Sequence, residues 1–151
     1  MRTAGTSNDI EITRSPTAVY DFVTTPANWV GTHPVTAEVK GDTDHSAGVG
    51  DRWVELIQPP GEPVGHETEW MATTAVPGHT WVIETSRLTF AGVRCQIVYT
   101  FVGHDGGTYF RRDMSVMVDD NAEVDDEFLR NVSDDTSQAG YLHKVKELLE
   151  N

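Results

Sequence analysis

Two hydrophobic periods alternate along the chain. Ile10 and Ile12 are flanked by Asp9, Glu11 and Thr13, a period of two that predicts a strand with one apolar face. Ser15-Pro16 ends it, because serine caps helices and proline suits the first helical position. Val19, Phe22 and Val23 then recur at helical spacing, which predicts a short helix over 16–24. Thr25-Pro26 repeats the start signal for a second short helix over 26–31, carrying Trp29 and closing at His33-Pro34. β-like segments follow near 35–40, 50–58, 64–74, 79–87, 92–103 and 108–118. Gly41-Asp42 through Gly48, Pro59-Pro60-Gly61, Pro77-Gly78, Ala91-Gly92 and Gly103 through Gly107 separate them. Turn chemistry at such regular spacing predicts antiparallel hairpins. Residues 1–8 are expected to be a loose polar start, and 1–151 a single domain.

The last segment has a helical period over about 121–150. Its apolar stripe is Val124, Phe128, Val132, Ala139, Leu142, Val145 and Leu149. Asp119, Asp120, Glu123, Asp125, Asp126 and Glu127 crowd its start, and Lys144 and Lys146 lie near its end. Both arrangements suit a helix dipole, so the acids read as a solvated helix start rather than a metal site. The stripe has a polar gap at Asp135 and Thr136, with Gly140 nearby. That gap predicts a helix segment facing a cavity. The order of elements predicts an α+β fold, a curved antiparallel sheet of about seven strands wrapped around the long C-terminal helix, with a cavity between them.

Composition narrows the function classes. Hydrophobic residues make up 38%, including four Trp, five Phe and four Tyr, enough for a core and too many for a disordered chain. Acids number 24 and bases 11, for a net charge of −13. That balance argues against nucleic-acid partners and anionic membrane surfaces. No stretch reaches the ~18 consecutive apolar residues of a membrane span. The start MRTAGTSND has no apolar run of the secretory type, so a cytoplasmic location is the expectation, and Asn131-Val132-Ser133 reads as a chance sequon. The single cysteine, Cys95, precludes an internal disulfide and a paired-cysteine zinc site. No two of the six histidines are spaced i, i+4, and after His66-Glu67 it is Trp70 that stands where a zinc-protease motif needs its second histidine. Walker, dinucleotide-binding and Gly-x-Ser-x-Gly patterns are missing, so no metal and no cofactor are expected.

Ile12 through Phe22, Pro26-Ala27-Asn28-Trp29, Val49-Gly50-Asp51-Arg52-Trp53, Trp70 through Pro77, Gly106-Gly107-Thr108 and Leu142 through Glu150 together resemble the START/birch-pollen-allergen superfamily. Within it they are most similar to the bacterial polyketide cyclase/dehydrase and lipid-transport group. The resemblance covers about residues 8–150 and implies the helix-grip fold, with a pocket that often holds a hydrophobic or aromatic ligand. It implies no universal catalytic signature, because this fold hosts binders and enzymes alike.

Parity selects candidate residues. In 50–58, Trp53, Glu55 and Ile57 share a face, and the resemblance implies that this face meets the pocket. A buried carboxyl has a raised pKa, which suits acid–base work near neutrality. In 108–118 the more apolar face carries Phe110, Arg112, Met114 and Val116, so Arg112 is the inward candidate and Glu55 its expected partner, in a structural or a catalytic pair. The resemblance places His33 at a pocket mouth, as a proton shuttle or a satisfied loop residue. Tyr99 and Trp81 read as pocket wall or core, and Cys95 as a small buried hydrophobe.

Two function classes follow. One is a cofactor-independent enzyme acting on a small hydrophobic or aromatic, polyketide-like molecule by cyclisation, dehydration or hydration. Glu55 and His33 would act as acid and base, and Arg112 and Tyr99 would polarise a carbonyl. Trp29, Trp53, Trp70, Trp81, Phe110 and Met114 would shape the cavity, with Asp135 and Thr136 facing it. The other is a non-catalytic carrier of a similar ligand. An ATPase activator of the same fold is a weaker third, since no interaction stripe is evident. An open sheet edge is compatible with a monomer or a homodimer.

Overall fold

In the computed structural model, which describes residues 1–87 and 91–151, seven strands form one antiparallel sheet. They are β1 (Arg2–Ile12), β2 (Thr36–Lys40), β3 (Arg52–Ile57), β4 (His66–Val76), β5 (Thr80–Arg87), β6 (Val93–His104) and β7 (Gly107–Val118), in the spatial order β1-β7-β6-β5-β4-β3-β2. Helix α1 (Pro16–Val23) and a 3-10 helix (Pro26–Trp29) follow β1, and α2 (Asp126–Ser133) and α3 (Thr136–Glu150) close the chain. The curved sheet around a C-terminal helix is the helix-grip fold.

Local chemistry accounts for the elements. Ser15 caps α1 by accepting from the Ala18 amide, with Pro16 at the first helical position. The β6–β7 hairpin turns through Asp105 and Gly106, both at positive φ, the backbone that Asp-Gly adopts readily.

Two expectations are corrected. Residues 1–8 are not loose. Arg2 pairs with Val118 and Asn8 with Arg112 along the length of β7, and every second residue of β1 is partly covered. Alternating small and polar side chains hide a strand whose ladder bonds are made by backbone alone. The long helix is broken. Asp134 takes extended backbone, and its carboxylate accepts the Thr136 amide at 3.0 Å. Aspartate competes with the helix for its own backbone, so the polar gap marks a break, and Asp135 and Thr136 are exposed rather than facing a cavity.

One end of the grip is filled. Trp53 stacks on Trp81 with ring centroids 5.7 Å apart, Trp81 meets Tyr99 at 5.1 Å, and Phe110 stacks between Tyr99 and Phe101. Tyr141, Leu142, Val145 and Leu149 of α3 are buried in the same core. Fully burying such side chains is worth about 1.5–3 kcal/mol each.

Candidate functional site

The other end of the grip holds a cavity of about 150 Å³. Glu55 and Ile57 of β3, Thr68 and Trp70 of β4, Cys95 and Ile97 of β6, and Arg112 and Met114 of β7 form its sheet wall. Trp29, His33 and Val35 close one side, and Gln138 reaches in from α3.

Glu55 is 5% exposed. The Trp70 indole N–H donates to its Oε1 at 3.0 Å, and the Thr36 hydroxyl donates to its Oε2. A register shift between Thr36 and Glu38 marks a bulge where β2 passes β3, and bulges re-aim side chains. Burial raises the Glu55 pKa above the usual carboxylate range, against the opposing pull of these two hydrogen bonds and of Arg112.

Arg112 is 4% exposed. Its Nε donates to the Tyr99 hydroxyl at 3.4 Å and its Nη1 to the Gln138 amide oxygen. Its guanidinium carbon lies 5.5 Å from the Tyr99 ring centre and 5.6 Å from that of Tyr141, within cation–π range. The expected direct pair with Glu55 is not made. Both side chains line the cavity, but no ion pair joins them.

His33 stacks on Tyr141, with ring centroids 3.7 Å apart and planes 5° from parallel. It lines both the cavity and an outer cleft with Gly31, Thr32, Pro34, Thr36, Gly140 and Lys144. Burial, aided by the Arg112 charge, pushes its pKa well below 6.5, so the imidazole is neutral. Cys95 also lines the cavity. Burial pushes its thiol up to about 12, which leaves it protonated and unreactive.

Of the residues expected at the site, Glu55, His33, Arg112, Trp29, Trp70 and Met114 converge on the cavity. Trp53, Trp81 and Phe110 belong to the packed aromatic end instead, and Tyr99 reaches the site through Arg112, which meets both its hydroxyl and its ring. Strand parity distinguishes inside from outside, but not cavity from core. Thr36, Thr68 and Gln138 are additions. Thr68 shares the inward parity of Trp70, and Gln138 stands three, four and seven residues before the buried Tyr141, Leu142 and Val145. Thr36 had no such signal, because a bulge positions it. Thr6 and Asn8 of β1 pair with Met114 and Arg112 on the same face, and their Oγ1 and Oδ1 are buried without partners.

Comparison with known proteins adds a lineage. The family model described as polyketide cyclase / dehydrase and lipid transport matches residues 3–150. A segment of 51 residues is 45% identical to Penitrem biosynthesis cluster 1 protein I of Penicillium ochrochloron, spanning 32% of this chain and 33% of that one. The di-domain ARO/CYC protein StfQ of the steffimycin biosynthetic pathway superposes with a TM-score of 0.75 at 14% identity, over 98% of this chain and 51% of its own. This chain thus spans about half of that two-domain protein. Ara h 8.0201 superposes with a TM-score of 0.70 at 12% identity, over 99% of this chain and 100% of its own. At these identities the likeness is one of fold.

Proposed function

This chain belongs to the polyketide cyclase/dehydrase and lipid transport family, and from that premise we propose that it is an enzyme acting by acid–base chemistry on a small aromatic or polyketide-like molecule held in the Glu55–Arg112 cavity. The observation that carries the reading is a buried carboxyl of raised pKa lining the same small cavity as a buried guanidinium. Such a carboxyl keeps its proton to higher pH than a solvated one and can both give and take it. Arg112 stabilises negative charge as it develops on a substrate oxygen. Glu55 then takes a proton from the carbon beside that carbonyl, or gives one to a departing hydroxyl, the steps that cyclisation and dehydration need. Neutral His33, at the boundary between cavity and outer cleft, is placed to pass a proton outward. The description of the family as polyketide cyclase / dehydrase supports a polyketide-like substrate, and the Penicillium relative is named for a biosynthetic cluster.

Carriage without catalysis has one observation in its favour. Both oxygens of Glu55 are already engaged by Thr36 and Trp70, as in a carboxyl that only shapes a binding site. Native mass spectrometry of the purified chain identifies a co-purifying molecule, and incubation with that molecule separates the readings. Conversion by the wild type, reduced about 100- to 10,000-fold in Glu55→Gln with binding retained, supports catalysis. Binding without conversion by either protein supports carriage.

A further inference from the structure

Arg112 is a buried cation without an anion. Its hydrogen-bond partners, the Tyr99 hydroxyl and the Gln138 amide oxygen, are neutral, as are the two tyrosine rings it faces. None of the ion pairs among the described residues includes it. A guanidinium carries five N–H donors, and its remaining ones have no protein acceptor among the described residues. Glu55 does not supply the missing charge. It makes no ion pair with Arg112, its oxygens accept from Thr36 and Trp70, and burial favours its protonated form. An uncompensated buried charge is costly, and it persists where something else completes the pair.

Trp29 adds an independent sign. Its indole N–H is buried and unpartnered, as is that of Trp53 in the packed aromatic end, whereas those of Trp70 and Trp81 each have an acceptor. Trp29 lines the cavity that Arg112 lines. Arg112 thus brings unpaired N–H donors to a space of about 150 Å³, a volume that holds one benzene-sized ring.

We propose that the cavity binds a single-ring aromatic carboxylate, its carboxylate on the free N–H groups of Arg112, with the indole N–H of Trp29 available as a further donor. The inference rests on the Glu55–Arg112 cavity being a ligand site, and it narrows the ligand to an anion. A guanidinium fork matches a carboxylate in shape as well as in charge. A neutral ring of the same size would fill the space and leave the cation unpaired.

Benzoate and benzamide test this, because they share shape and differ in charge. Calorimetric titration of the full chain at neutral pH should show benzoate binding at least ten-fold more tightly than benzamide. Arg112→Met should remove that preference, and Trp29→Phe should weaken benzoate about three-fold or more. Equal affinity for the two probes would overturn the inference while leaving the cavity as a ligand site. Failure of both to bind at millimolar concentration would overturn the ligand site as well. A second readout is thermal. Benzoate should raise the unfolding temperature of the wild type and leave that of Arg112→Met unchanged, whereas an equal rise in both would overturn the proposal.

Discussion

Glu55 and Trp70 show how one hydrogen bond sets a titration. The indole N–H stabilises the carboxylate against burial. Trp70→Phe removes that donor, so the Glu55 pKa rises further, and the corresponding limb of any pH–rate profile should move to higher pH. An unmoved limb would assign it to another group. His33 makes a prediction about stability. Its folded pKa lies well below 6.5 because of burial and Arg112. Between that folded value and 6.5 the unfolded chain binds more protons, so His33 makes stability rise with pH across the window. Its contribution is complete above about 6.5 and is lost as pH falls through the folded value. His33→Phe keeps a ring beside Tyr141 and removes the titration. The unfolding temperature of the wild type minus that of the variant should fall between about pH 7.5 and pH 5.5. A constant difference would sink the assignment.

At the scale of elements, β1 holds the far edge of β7, the strand that carries Arg112 and Met114. Gly5 makes this pairing close, since a Cβ there would fall against the Met114 carbonyl oxygen. Backbone cannot swing aside as a flexible side chain does, so Gly5→Ala should cost about 1–3 kcal/mol. The loss would be read as a lower urea midpoint at unchanged slope. A midpoint equal to that of the wild type would show that the N-terminal half of β1 contributes little. That half was illegible in the sequence because Arg2 through Asn8 carry almost no hydrophobic alternation. The strand at Ile10 and Ile12 was legible because it does alternate. The C-terminal helix was legible as a stripe, but its break was not, because a polar gap has the same appearance whether it faces a cavity or ends a helix.

For the whole molecule, charge and shape act over longer distances. A net charge of −13 on 151 residues is self-repulsive. Shortening the Debye length from ~30 Å at 0.01 M salt to ~8 Å at 0.15 M screens that repulsion. The unfolding temperature should therefore rise between these conditions, and a fall on adding salt would show that surface ion pairs dominate instead. Among the described residues no helix is long and apolar enough to cross a membrane. The sheet, the broken helix and the segment from Trp29 to Val35 meet around one cavity, so the site belongs to no single element.

The order of strands and helices, the antiparallel hairpins and the inward parity of Arg112 follow from the sequence, because hydrophobic period and turn chemistry act within a few residues, whereas the inward face of Glu55 was implied by the family resemblance. Which aromatic rings pack together and which are left facing space is settled only when β3, β4, β6, β7 and α3 share one interior. The partners of the two buried ionisable groups are settled there too. Trp70 reaches Glu55 from a neighbouring strand, and Gln138 reaches Arg112 from a helix 26 residues further along the chain. Burial and hydrogen bonding, which set the charge of each group, are properties of that shared volume and of no local stretch of chain.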